Sequence, residues 1–372
     1  YLRWHDLRLE AIIDWDDEVI AYALGHRIKY VRLLRRPTSS PRAKGSDALG
    51  SRYFVQLVLQ GVSLVKERHT VGEARIGLDV GPSTIAMVPL GLAHPAGTQE
   101  PTASLEVFCE ELQPAEKALR RFERQMDRQR RANNPENYDE KGRAKKGKRV
   151  WRHSKRSQAV RRRVAERRRK LAAHRRALHG KRAHDIVALG NTIITEKISY
   201  KAWQKQYGRS VHLRAPGLFI AELRRLVART GGTLLEIPTR TTKLSQFCHG
   251  CGTYRKKKRS ERMHSCPCGI GPVQRDLYSA FLAALFHTET TIPSCALYSV
   301  YWEGLESVLR AAHERLLQRA KEGHLLPQSM GVPRTRARRL ESSPERIEEL
   351  PLLVSRKGRI ADGAGRMEPT RL

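Results

Sequence analysis

The sequence lacks an apolar run long enough to span a bilayer, and it lacks a charged n-region followed by an apolar h-region. It therefore gives no indication of a membrane span or of secretion. Cysteine is scarce as well: four of the six cysteines fall within 21 positions, whereas Cys109 and Cys295 are isolated. This distribution indicates a metal site in a reducing compartment rather than a disulfide framework, and it predicts a cytoplasmic, nucleoid-associated protein.

Negative charge is also in short supply. The chain has 38 Asp and Glu against 71 Lys and Arg, which gives a formal net charge of +33 and a pI of about 10.6. Such a charge predicts a polyanionic partner, because cationic binding to a membrane would also need an amphipathic apolar face. With 372 residues, 40% of them hydrophobic, the chain can bury a core and is expected to form two or three domains. It starts with Tyr1 inside a segment predicted as helical, which predicts a piece of a longer protein.

Hydrophobic periodicity predicts an α/β protein without internal repeats. A short helix is expected over residues 1–24, followed by a small β element, half of a barrel, with strands at 27–34 and 51–60. A β-hairpin begins at Ile76 and a third strand covers 103–112. Two more strands are predicted at 191–196 and 233–238. Three helices are predicted around Phe219, near Asp276 and over 296–322.

The stretch from Lys117 to Arg182 contains 27 Lys and Arg against six Asp and Glu, so it carries +21 of the whole charge of +33. Apolar residues recur in it at spacings of four and seven, which predicts one thin apolar stripe on a long basic helix: Val160, Val164, Leu171 and Leu178. The segment 131–148 is predicted to be a loop between two basic helices. A solvated helical hairpin is the simplest interpretation.

Like charges at adjacent and i,i+3/i+4 positions destabilise a bare helix unless phosphates neutralise them. We therefore favour a nucleic-acid clamp. The residues expected to contact the backbone are Arg161, Arg162, Arg163, Arg167, Arg168, Arg169, Lys170, Arg175 and Arg176.

Three acidic residues lie far apart, each in or beside an apolar segment: Asp79, Glu196 and Asp276. Each alone has an ordinary explanation, as a turn initiator, a solvated strand end and a helix N-cap respectively. Together they match what an RNase H-like sheet needs, in which a hairpin, a later strand and a final helix bring three carboxylates onto two Mg²⁺ ions about 4 Å apart. Such a site hydrolyses phosphodiesters. Glu236, also in an apolar strand, is a rival for the middle position.

The cysteine cluster consists of a C-x-x-C pair, 14 intervening residues and a C-x-C pair, formed by Cys248, Cys251, Cys266 and Cys268. Four thiolates at this spacing suit a tetrahedral Zn²⁺ with bonds of roughly 2.3 Å, and a closed site of four protein ligands is structural. The shortened second pair leaves open that His264 replaces one ligand. The basic run at 255–259 indicates a phosphate contact at the tip of this module.

The order of these motifs resembles TnpB, the transposon-encoded RNA-guided endonuclease family related to type V CRISPR effectors. The resemblance covers about residues 51–290 and is carried by GLDVGPSTIA, the long basic insertion, the strand ending in Glu, TTKLSQFCHGCG, the second cysteine pair and RDLYSAFLAA. It implies an RNase H-like (RuvC) nuclease domain whose Asp79, Glu196 and Asp276 bind Mg²⁺, and a zinc ribbon formed by the four cysteines. It also implies that the basic helices hold a guide RNA and its target DNA.

With this resemblance, the expected organisation has five parts. Residues 1–70 form a partial wedge-like, OB-like β domain with its N-terminal helix, and residues 71–240 form a RuvC-like core that includes the basic helical insertion at 117–187. A zinc ribbon at 241–270, C-terminal RuvC helices at 271–322 and a disordered tail at 323–372 follow. Two alternatives stay open. The chain is a catalytically inactive nucleic-acid-binding relative, or it is a DDE-type transposase that joins strands itself, which would also use three carboxylates.

Overall fold

A computed structural model describes residues 1–37, 51–61, 64, 70–91, 103–286, 294–324 and 326–332. The strands in these ranges are β1 (Leu2–Trp4), β2 (Leu7–Leu9), β3 (Ile28–Pro37), β4 (Ser51–Leu59), β5 (Arg75–Val80), β6 (Thr84–Leu90), β7 (Ser104–Val107), β8 (Thr192–Lys197), β9 (Thr233–Pro238), β10 (Met263–His264) and β11 (Val273–Gln274). The helices are α1 (Glu18–Leu24), α2 (Leu112–Asn133), α3 (Lys155–Leu189), α4 (Tyr200–Arg214), α5 (Pro216–Arg229), α6 (Thr239–Thr242), α7 (Arg275–Ala284) and α8 (Cys295–Lys321).

The amino-terminal elements differ in part from the sequence prediction. Residues 2–9 form an antiparallel hairpin, β1 with β2, and only Glu18–Leu24 is helical, with the Asp17 carboxylate accepting a hydrogen bond from the Val19 amide. The expected helix over 1–24 is therefore wrong over residues 1–17. Leu-Arg-Trp and Leu-Arg-Leu each alternate with a period of two, but each run has only three residues. The two strands predicted next are confirmed as β3 and β4, which pair with each other.

A mixed five-stranded sheet organises the rest of the molecule, with strand order β7-β6-β5-β8-β9. β5, β6 and β7 are antiparallel neighbours, whereas β8 lies parallel to β5 and β9 lies parallel to β8. The predicted hairpin and the two later strands are confirmed. The third strand is shorter than predicted, because residues 108–111 leave the sheet as a turn and α2 begins at Leu112.

Each face of this sheet is covered by helices, because apolar side chains point alternately to its two sides. One face, with Ile76, Leu78 and Ile193, packs against α3 and α5. The other face, with Ala86, Val88 and Ile194, packs against α7. All residues of α7 from Leu277 to Ala284 are buried, and α8 covers this side of the core with Trp302, Leu309 and Leu316.

The basic helices α2 and α3 run antiparallel and contact each other through Leu119, Val160 and Val164. These are residues of the predicted apolar stripe and their partner on α2. The predicted loop between the helices is held by two buried asparagines: Asn134 accepts a hydrogen bond from the Arg152 amide at 2.6 Å and Asn137 donates one to the Val150 carbonyl at 2.8 Å.

The carboxyl end of the described chain packs onto the core. A 3-10 turn at Gln328–Met330 buries the Met330 side chain completely, so residues 326–332 do not belong to the disordered tail that was predicted from residue 323. Residues 333–372 of that predicted tail lie outside the described residues. Each helix in the described ranges is too short or too polar to cross a lipid bilayer.

Candidate functional site

Asp79 and Glu196 lie on adjacent parallel strands at matching heights. In β5 and β8, Gly77 pairs with Ile194 and Leu78 pairs with Thr195, so Asp79 and Glu196 occupy the next position of the same register. Their side chains point to the same face, because Ile194, two residues before Glu196, belongs to the core beneath α7. The carboxyl ends of the two parallel strands therefore present two carboxylates side by side.

Helix α7 crosses this face so that its first turn lies over Asp79. The contacts are regular: Arg75 donates hydrogen bonds of 2.5 Å to the carbonyls of Ala284 and Phe286, and a Cβ on Gly77 would overlap the Ala280 carbonyl oxygen. Two strand residues advance about 6.6 Å and four helical residues about 6 Å, so Asp79 stands opposite Asp276. The absent side chain of Gly77 is what lets α7 approach this closely.

The three carboxylates interact electrostatically. Burial, and then the charges of Asp276 and Glu196, raise the pKa of Asp79 well above its ordinary value. Burial raises the pKa of Glu196 to about 7, although its carboxylate accepts a hydrogen bond from the Leu244 amide. Burial also raises the pKa of Asp276, against the opposing effect of Arg275. All three residues are partly exposed, with 15% of the Asp276 side chain accessible, so the group lies at the edge of the core.

The ordinary explanations for Asp276 and Asp79 do not fit the geometry. Asp276 is not the cap of α7, because the Gln274 side-chain oxygen accepts the hydrogen bonds of the Asp276 and Leu277 amides at 2.7 and 2.8 Å. Asp79 lies inside β5, and the tight turn is closed further on, between Gly81 and Thr84. The rival Glu236 pairs in register with Thr195, which directs it to the opposite face of the sheet.

There Glu236 forms an ion pair with Arg224 of α5, at 2.5 Å. It therefore does not join the other carboxylates.

Hard oxygen donors that repel one another are the ligand type that Mg²⁺ prefers, so the trio of Asp79, Glu196 and Asp276 fits divalent cations in donor chemistry and in accessibility. The trio does not form a closed single-ion cluster. In the described part of the chain, only the four cysteines form a group of three or more close metal-ligand atoms.

Two arginines adjoin the carboxylates, and the sequence analysis did not single them out. The Arg275 Nε lies 3.6 Å from the Asp276 carboxylate, and its terminal nitrogen donates to the Glu261 carbonyl at 2.9 Å. Arg262 precedes β10 and acts electrostatically on Asp276 and Arg275. Arg275 stands directly before Asp276 in the sequence, which was a usable signal, whereas the proximity of Arg262 depends on tertiary structure alone.

The four cysteines form a second candidate site. Their sulfur atoms all lie within 4.8 Å of one another, and the pairs Cys248–Cys268 and Cys251–Cys266 are separated by 3.5 and 3.6 Å. A tetrahedral Zn²⁺ with Zn–S bonds of about 2.3 Å requires sulfur atoms about 3.8 Å apart, so the cluster can hold a structural zinc ion.

The alternative ligand His264 lies elsewhere. Its ring stacks on Tyr278 of α7 with centroids 4.0 Å apart, and its Nδ1 contacts Lys257. His249, inside the first cysteine pair, also contacts Tyr278, through a hydrogen bond of 2.7 Å to the phenol oxygen. These two histidines attach the cysteine module to α7, the helix that carries Asp276.

Most of the cations predicted to bind nucleic acid lie exposed along α3. Three of them have partners: Arg167 lies over the Phe122 ring, Arg168 pairs with Glu123 and Arg169 pairs with Glu166. Five others form no ion pair within the described ranges, namely Arg161, Arg162, Arg163, Lys170 and Arg176.

Arg175 has a different environment from the other predicted contacts. It is half-buried and donates hydrogen bonds to the carbonyls of His212 and Leu213, and burial lowers its pKa. Its guanidinium therefore ties α3 to the end of α4. The structure gives it a packing role in place of the phosphate contact that the sequence predicted.

A scan against protein-family models and a search of curated proteins both find no significant match to this chain. The described elements define a mixed α/β protein with a partly exposed carboxylate trio, a thiol cluster suited to zinc and a strongly basic pair of helices.

Proposed function

We propose that this protein is an RNA-guided, metal-dependent DNA endonuclease with an RNase H-like nuclease core of the kind found in the TnpB family. The observation that carries the proposal is the meeting of Asp79, Glu196 and Asp276, from two adjacent strands and the first turn of α7, on one solvent-accessible face. Residues far apart in sequence have no structural need to bring three repelling carboxylates together, whereas a phosphodiesterase that uses divalent cations does.

In this proposal the three carboxylates hold the metal ions and the sheet fixes their spacing. When bound, a pair of Mg²⁺ ions would activate a water for in-line attack and stabilise the leaving oxygen, giving a 5′-phosphate product. The Leu244 amide orients the Glu196 carboxylate through its hydrogen bond. Arg275 offsets part of the negative charge at Asp276, which limits the repulsion within the trio before cations bind.

The basic helices supply the nucleic-acid interface in this proposal. Exposed guanidinium groups on one side of α3 attract phosphates without reading sequence, so specificity would come from base pairing between a guide RNA and its target. The thiol module, with its zinc, supports the third carboxylate through its contacts with α7. Guide RNA and target DNA are thus the proposed partners.

The test starts from the protein expressed together with its flanking genomic DNA. RNA that co-purifies is sequenced, and duplex DNA matching its variable end is incubated with the complex in Mg²⁺. We expect cleavage of matched DNA only, abolished in Asp79→Ala and retained in Glu236→Gln, whose carboxylate lies on the other face of the sheet. Cleavage that is equal in wild type and Asp79→Ala contradicts the proposal.

Two further outcomes would point to the alternatives. Tight, salt-sensitive RNA or DNA binding without any Mg²⁺-dependent cleavage would indicate a non-catalytic nucleic-acid-binding protein. Strand-transfer products on a transposon-end substrate would indicate a DDE-type transposase.

A further inference from the structure

The cysteine module and the carboxylate site share one short hairpin. β10 and β11 pair Met263 with Gln274 and His264 with Val273, and the Arg275 amide donates to the Arg262 carbonyl at 2.8 Å, which extends the ladder by one bond. The turn of this hairpin contains two of the four thiols, Cys266 and Cys268. Its open end leads on one strand to Arg262 and on the other to Asp276.

Arg262 is fixed in place by its surroundings, yet its guanidinium has no hydrogen-bond or ion-pair partner among the described residues. Its Cβ packs against the backbone of Gly331: a Cβ added to Gly331 would lie only 3.3 Å from the Cβ of Arg262. Its side chain is half-buried within electrostatic reach of Asp276, Arg275 and Tyr207. In the described part of the chain it forms no side-chain hydrogen bond and no ion pair with a carboxylate within 4 Å. A desolvated cation left without a partner is costly unless an anion completes its environment.

Arg275 is the natural comparison, because both guanidinium groups adjoin Asp276. Arg275 is occupied by the Glu261 carbonyl and by the Asp276 carboxylate. Arg262 is not, so its donors remain available to a ligand. With divalent cations bound, three carboxylates and two arginines leave the site with excess positive charge, which a phosphodiester would balance.

We propose that Arg262, supplied by the cysteine module, contacts the scissile phosphodiester and positions it over the carboxylate trio. The inference rests on the proposed nuclease function and deepens it. The thiol module then acts on the reaction as well as on stability, since a metal ion that binds Cys266 and Cys268 holds the turn of the hairpin whose open end carries both Arg262 and Asp276.

The experiment measures single-turnover cleavage of matched DNA by the RNA-loaded protein in Mg²⁺. The variants are Arg262→Gln, Arg262→Lys and, as a matched control, Arg225→Gln, which removes an exposed arginine from α5 on the opposite face of the sheet. Zinc content, thermal unfolding and DNA affinity are measured on each. We expect Arg262→Gln to lower the rate about 100-fold, as for loss of one donor to a reacting group. DNA affinity should change less than twofold, zinc content should stay the same, and Arg262→Lys should recover about tenfold of the loss.

Each result bears on a different claim. A slow Arg262→Gln with normal zinc, stability and affinity, beside an unaffected Arg225→Gln, supports the inference. Cleavage that depends on Asp79 but proceeds at the wild-type rate in Arg262→Gln overturns it and leaves the nuclease proposal standing. A slow variant that has lost zinc or melts early shows a structural role and also overturns it. Wild-type protein that binds DNA without cutting it overturns both proposals.

Discussion

Replacing Glu196 by glutamine is expected to stabilise the protein at pH 8 in magnesium-free buffer. Burial raises the pKa of Glu196 from 4.5 to about 7, so between these pH values the folded protein binds more protons than the unfolded chain. Below about pH 4.5 Glu196 is protonated in both states, so its burial as a charged group does not lower the free energy of unfolding. As pH rises from 4.5 to 7, the unfolded chain gives up this proton before the folded protein does, so the free energy of unfolding falls, and above pH 7 it levels off.

The rise in pKa is equivalent to a cost of at most about 3 kcal/mol at pH 8. The true value is smaller where Asp79 or Asp276 takes up the shared proton instead, because the three carboxylates titrate together. Glutamine keeps the shape of the side chain and the acceptor for the Leu244 amide, and it removes the charge. We therefore expect Glu196→Gln to gain about 1–3 kcal/mol over wild type at pH 8 and little at pH 5.

Urea unfolding at pH 5 and pH 8 measures this difference. The buffers are stripped of Mg²⁺ by resin and contain no chelator, so that the thiol site keeps its metal. Glu236→Gln is the control, because it removes an exposed ion pair worth at most about 1 kcal/mol and should give the same small change at both pH values. Added Mg²⁺ should stabilise wild type and not Glu196→Gln. Equal unfolding midpoints for wild type and Glu196→Gln at pH 8 would refute the reasoning.

Three further predictions follow from single contacts. Gly77→Ala should cost at least about 2 kcal/mol of unfolding free energy, because its Cβ would overlap the Ala280 carbonyl. Gly304→Ala, at an exposed position of α8, should gain up to about 1 kcal/mol. Urea unfolding of both variants tests this, and an unchanged stability of Gly77→Ala contradicts the packing of α7. Arg162→Gln should reduce the slope of log nucleic-acid affinity against log salt concentration by about 1. Arg175→Gln should leave this slope unchanged and lower thermal stability, because Arg175 donates to the His212 carbonyl. Equal slopes for wild type and Arg162→Gln would exclude Arg162 from the interface. Native mass spectrometry should find one zinc ion per chain, lost in Cys251→Ser with a lower melting temperature, and a metal-free wild type would contradict the site.

The sequence predicts the sheet well where hydrophobic alternation is unbroken. The strand expected at 233–238 coincides with Thr233–Pro238, and the helix expected over 296–322 is Cys295–Lys321. Helix α4 was not predicted, since its apolar residues do not follow one helical face and its backbone is kinked at Tyr207. The first nine residues were misassigned because two three-residue strands are too short to establish a periodicity.

For the candidate site, the sequence could nominate the carboxylates but could not establish that they meet. Acidic residues in apolar segments are identifiable from the sequence, whereas the placement of Asp79 beside Glu196 depends on the pairing of β5 with β8, which are separated by both basic helices. The choice between Glu196 and Glu236 likewise depends on strand register, because a shift of one residue exchanges the two faces. The role of Arg262 could not be predicted either, because its proximity to Asp276 depends on tertiary structure and nothing in its local sequence specifies its neighbours.

The burial of α7 explains why the candidate site lies where it does. Residues Leu277 to Ala284 are all buried, so this helix offers no polar face to solvent along its length. Its first turn is the one part of this helix that is partly exposed, and the positive end of the helix dipole favours a carboxylate there. The arginine clamp of Arg75 on the last carbonyls and the missing side chain of Gly77 fix the helix along β5. The same contacts that hold the core together therefore set the separation of Asp79 from Asp276, which means that stability and metal binding should change together in variants of this helix.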